Sequence, residues 1–114
     1  MNRDLASVLD ALIFARRIIT FTQQMTEEEF FVDIKTQDAV MRNISILGEA
    51  LRRVSPEFRA IHSEIPYGKI ISMRNKLVHD YDGVNLELIW DVVENYIPVL
   101  IQQLESIIPN ENTL

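Results

Sequence analysis

Leu5, Val8, Leu12, Ala15 and Ile19 recur at alternating steps of three and four, the spacing of one apolar stripe along a helix. The run from Ile18 to Thr22 favours a strand by propensity, but the period before it is the stronger signal. Thr26-Glu27-Glu28-Glu29 matches a capping box, so a short helix through Phe30 and Phe31 follows. A second stripe runs through Val40, Ile44, Leu47, Leu51 and Val54, with Gly48 inside it. Glycine costs helix stability there, which predicts a close approach of another helix. Ser55 and Pro56 are N-cap and first-turn residues of the next helix, and Pro66 marks the start of one reaching from Tyr67 to His79. Asp82-Gly83 signals a turn. Asn85 caps a last helix striped by Leu86, Ile89, Val93, Ile97, Leu100, Leu104 and Ile107, in which Pro98 removes one ladder hydrogen bond and predicts a kink. The pattern predicts an all-α, up-and-down helical bundle of three long helices and several short ones. Residues 1–108 form one domain in this reading, and 109–114 a frayed tail.

Composition narrows the classes. The 114 residues are 47% apolar and 25% charged, the balance of an ordinary globular chain. No apolar run has the length of a membrane span and no secretory signal opens the chain. The absence of cysteine excludes disulfides and thiolate chemistry and fits the cytoplasm. The net charge of −6 argues against broad nucleic-acid binding, and no DNA partner is expected. The charge is uneven, however. Residues 52–76 hold six basic residues against two acidic ones, a net +4, so the rest of the chain carries −10. Such a basic island attracts a polyanion locally.

The island ends in Arg74-Asn75-Lys76-Leu77-Val78-His79-Asp80-Tyr81, read as Arg-x4-His-x-Tyr. Arginine is a permanent cation able to fork onto a phosphate, and histidine changes charge near neutral pH. RNA cleavage without a metal needs those parts: a proton-transfer group at the 2′-OH or the leaving oxygen, and a cation on the phosphorane. Arg74 and His79 are the candidate catalytic residues, with Asn75 in support. Neither Arg74 nor His79 falls on an apolar stripe by this reading. Five residues apart, they stand about 140° apart around an ideal helix. They converge if His79 sits at a frayed helix end or if a second chain completes the site. A single histidine also cannot be base and acid in one step, which again favours two facing copies.

Plainer roles exist for each residue. His79 also reads as a last-turn residue favourably placed near the negative helix end. Arg74 is within reach of an ion pair with Glu49 across helices, and Tyr81 has the character of a packed aromatic with a satisfied hydroxyl. His62 reads as a surface or capping residue, and Phe14, Phe30, Phe58 and Trp90 as core. No cluster of His, Asp or Glu has metal-ligand spacing, so no metal site or cofactor is expected.

The motif resembles the signature of the HEPN superfamily. The likeness to its HepT-like branch extends through Asp38-Ala39-Val40, Leu47-Gly48-Glu49-Ala50, Ser55-Pro56, Ile65-Pro66, Leu86-Glu87 and Trp90-Asp91-Val92-Val93, in the family's order. It covers the chain from about Arg3 to Ile107. Two positions depart: Tyr67 stands where Trp is expected, and Asp82 where an aromatic often follows the tyrosine. The resemblance implies a homodimeric, metal-independent endoribonuclease, the toxin of a type VII-like toxin–antitoxin pair. It also implies a minimal nucleotidyltransferase antitoxin that adenylylates the motif tyrosine, here Tyr81. The alternative is a non-catalytic nucleotide- or RNA-binding module that uses Arg74 as an anion clamp and has no need of His79.

Overall fold

The computed structural model describes residues 2–79 and 83–108. Tyr81, Asp82 and the tail 109–114, on which three of the expectations fall, lie outside the described residues. All regular structure among the described residues is helical. The elements are α1 (Arg3–Thr22), α2 (Glu27–Phe31), α3 (Ile34–Arg52), α4 (Pro56–Ile61), α5 (Tyr67–His79), α6 (Leu86–Asp91) and α7 (Ile97–Ile107), with a π-helical turn, Val92–Tyr96, joining the last two.

The helix boundaries follow local chemistry. The Asn2 side chain accepts from the Leu5 amide at 2.7 Å and starts α1. The β-branched run at Ile18 stays helical, because Ile18 lies on the buried face and its packing outweighs strand propensity. Thr26 and Glu29 form the reciprocal capping box of α2. Ser55 caps α4 with Pro56 in its first turn, and Asn85 caps α6. Pro98 disturbs the last helix as a π turn: the Ile97 amide bonds to the Val92 carbonyl, five residues back. This wider turn sits just ahead of the ring that cannot donate.

Two ties set the helix directions. Asp4, at the start of α1, accepts from the Ser55 amide and hydroxyl at 2.8 and 2.7 Å, so α1 begins where α3 ends. Arg59 donates to the carbonyls of Leu51, Arg52 and Val54, covering the end of α3, and stacks 5.2 Å over the Tyr67 ring. The start of α5 is therefore also at the end of α3, and α1, α3 and α5 alternate in direction. α3 is the central helix, packed on α1 and on α5, while α7 packs on α1. The stripe Val40, Ile44, Leu47, Leu51 and Val54 is buried throughout, as are Val8, Leu12 and Ala15 of α1 and Ile97, Leu100 and Leu104 of α7. Phe30 and Trp90 meet in the core at 5.2 Å between ring centres. Phe14 and Phe58 are only partly buried against its edge. No helix among the described residues is long and apolar enough to cross a membrane.

Candidate active site

α5 carries the motif, and its first turn is anchored. Tyr67 is buried and donates its hydroxyl to the His62 carbonyl at 3.0 Å. Burial, followed by the nearby Glu64 carboxylate, pushes its phenol above the ordinary tyrosine range. His62 ends α4, its ring 4.5 Å from that of Phe58, which is a capping and packing role.

Along α5, Ile70 and Leu77 are buried and Arg74 lies between them at steps of four and three. Arg74 is thus on the buried seam, contrary to the expectation that it lies off any stripe. What admits it is Gly48 on α3. A Cβ added there would fall 2.4 Å from the Arg74 Cβ, 2.9 Å from its Cγ and 3.3 Å from the Ile70 carbonyl oxygen. The missing side chain of Gly48 is the space that the stem of Arg74 occupies, and the close contact expected at Gly48 is realised.

The guanidinium emerges at the edge of this seam, with the side chain 22% exposed. Its Nη2 pairs with Glu49 Oε2 at 3.3 Å, and its Nη1 donates to Asn75 Oδ1 at 2.8 Å. Nε is buried and has no partner among the described residues. Glu49 is shared with Arg52 at 3.5 Å. A guanidinium has five N–H donors, so after these contacts each Nη group keeps at least one for an anion. Glu49 and Asn75 together fix the plane of the fork without using it up.

His79 is the last residue of α5 and is exposed. Among the described residues its imidazole has no hydrogen-bond or ion-pair partner. The helix is unbroken from Arg74 to His79, so the roughly 140° between them is kept. Arg74, Asn75 and Glu49 are brought together, and His79 stands apart on another face. No group of His, Asp and Glu suited to a metal occurs among the described residues.

The seam position of Arg74 was within reach of sequence reasoning. Ile70, Arg74 and Leu77 have helical spacing, but a charged residue at a core register reads as an interruption until the facing glycine is known.

The profile of HepT-like ribonucleases matches residues 11–107. The chain belongs to the HepT-like ribonuclease family. A candidate RNase of Methanocaldococcus jannaschii is 40% identical over 90% of this chain and 85% of its own length. A candidate ribonuclease HepT of Thermococcus cleftensis is 36% identical over 94% of this chain and 98% of its own. A candidate RNase of Caldanaerobacter subterraneus is 39% identical over 74% and 75%. No solved structure gives a significant match. Residues 11–107 of this HepT-like chain include Gly48, Glu49, Arg74, Asn75 and His79, so the matched region contains the whole constellation built above.

Proposed function

We propose that this protein is the endoribonuclease toxin of a toxin–antitoxin pair, acting as a homodimer without a metal. The observation that carries the reading is the Arg74 fork, held by Glu49 and Asn75 with donors to spare, on the same helix as an exposed histidine, in a chain of this family.

The chemistry suits those groups. The 2′-OH attacks the neighbouring phosphorus, its proton passing to a base, while the bond from phosphorus to the 5′ oxygen breaks and that oxygen takes a proton from an acid. The product is a 2′,3′-cyclic phosphate, which water opens to a 3′-phosphate. Arg74 meets the charge that develops on the non-bridging oxygens. His79 transfers a proton, a contribution typically worth about 10²–10⁴-fold.

One chain supplies one such histidine, on a face of α5 away from the Arg74 fork. A symmetric pairing with two motifs facing supplies base and acid from different copies. The separation of Arg74 from His79 along an intact helix supports that arrangement, since fraying of α5 does not close the gap. Val78, half exposed beside His79, adds apolar surface to the same end of the bundle.

Tyr81, outside the described residues, is the proposed regulatory handle. It follows His79 by two residues, so an adenylyl group there would bring a negative phosphodiester to the motif and compete for Arg74 as a tethered ligand. The partner in this reading is a minimal nucleotidyltransferase, the substrate is RNA and the compartment is the cytoplasm. Expression of the chain alone tests the toxin role. Growth arrest relieved by His79→Ala supports it, whereas arrest that persists in that variant, or no arrest at all, opposes it. A binding module would need Arg74 and be indifferent to His79.

A further inference from the structure

Arg42 stands on the same edge of α3 as Glu49, seven residues earlier, and is exposed. Seven residues bring a helix to within about 20° of two full turns, roughly 10.5 Å along the axis. Because α3 and α5 run in opposite directions, that step away from the Glu49–Arg74 pair is a step toward the C-terminal end of α5. Arg74 to His79 covers about 7.5 Å of the same axis, so Arg42 lies close to the level of His79, flanking the motif on the neighbouring helix.

Arg42 is also uncommitted among the described residues. Among the described residues no hydrogen bond, ion pair or ring contact holds its guanidinium. The basic island, by contrast, is largely spoken for. Arg52 pairs with Glu49 and Arg53 with Asp10, Arg59 covers the carbonyls at the end of α3, and Lys69 contacts Tyr96. Lys76 is exposed but lies about 200° around α5 from Arg74. In a chain of net charge −6, an arginine beside the motif that holds no anion among the described residues is a ready contact for a phosphate.

We propose that Arg42 binds a backbone phosphate of the RNA adjacent to the one clamped by Arg74. This rests on the ribonuclease reading above and extends it to a second phosphate subsite. Arg42 then contributes to substrate affinity and register along the strand, because phosphate contacts position a nucleic acid without specifying its bases. It takes no part in the chemical step.

The test uses the full chain, a short fluorescent single-stranded RNA that the wild type cleaves, and the variants Arg42→Ala, Arg42→Glu and Arg42→Lys. Arg42→Ala is expected to raise KM about five- to tenfold at unchanged kcat. It should also reduce the dependence of log affinity on log salt by about 0.7, the value of one single-strand phosphate contact. Arg42→Glu should be worse and Arg42→Lys should keep most of the affinity. Circular dichroism should show the same helix content in all, since the residue is exposed. Wild-type cleavage with KM and salt slope unmoved in Arg42→Ala overturns this inference alone, as does a fall in kcat at constant KM. A wild type that neither binds nor cleaves any RNA overturns the ribonuclease reading, and this inference with it.

Discussion

Gly48 and Arg74 interlock across the contact between α3 and α5. A methyl group at position 48 would lie 2.4 Å from the Arg74 Cβ, a separation that real Cβ atoms do not tolerate. The neighbour is the rigid root of the arginine, not its flexible end, so one helix would have to move. The candidate site's fixed cation is thus positioned by an absent side chain.

Gly48→Ala should therefore destabilise the fold by about 1–3 kcal/mol, the usual cost of overpacking, even though alanine is the better helix former. Gly68 is the control. A Cβ there meets nothing within 4 Å, so Gly68→Ala should be neutral or stabilising by up to about 1 kcal/mol. Urea unfolding of the two variants reads the contrast directly. Equal effects would remove the close-packing account of Gly48.

Glu49→Gln separates positioning from stability. The Arg74–Glu49 pair is partly exposed, the side chains 22% and 37% accessible, so solvent screening limits its worth to about 0.2–1 kcal/mol. Arg74 orientation, however, depends on it. Cleavage should fall by more than tenfold while the midpoint of unfolding moves little. An activity loss no larger than the stability loss would make the pair merely structural.

Arg74→Ala and His79→Ala should each abolish cleavage, but their structural effects should differ. His79 is exposed at the end of α5, and its removal should leave thermal stability unchanged. Arg74 fills the seam beside Gly48, so its truncation should also lower stability by about 1–2 kcal/mol through lost packing of its stem. Thermal melts of the two variants side by side make the comparison.

Much of this was legible in the sequence because local rules and tertiary packing agree. The Thr26–Glu29 capping box, the Ser55 and Asn85 caps and the stripe from Val40 to Val54 each rest on chemistry within a few residues, and each is found as expected. Arg74 is where local reading fails. Its register is that of a core residue and its charge that of a surface residue, and the facing Gly48 that reconciles them lies 26 positions away in the chain. The approach of Glu49 and Arg52 to one another is readable from their spacing of three, whereas the distance from Glu49 to Arg74 depends on how α3 crosses α5.

Acid should loosen the junction of α1 with α4. The side-chain and backbone hydrogen bonds from Ser55 hold the Asp4 carboxyl below its usual value of 3.8, and Thr36 does the same for Asp33 at the start of α3. A depressed folded value means stability that is fully present above about pH 3.8 and is lost as the pH falls through the lower folded value. Asp4→Asn should flatten that part of the stability–pH curve while leaving the Asp33 contribution. An unchanged acid limb in Asp4→Asn would show that the Ser55 contacts do not persist in solution.

We propose that this helical chain cleaves RNA with Arg74 and His79 and no metal. The most direct measurement incubates the purified protein with 5′-labelled RNA in excess chelator and reads the new ends by mass. Cleavage is expected to leave a 2′,3′-cyclic phosphate or 3′-phosphate and to disappear in His79→Ala. Cleavage that requires magnesium, that leaves 5′-phosphate ends, or that continues at the wild-type rate in His79→Ala would contradict it.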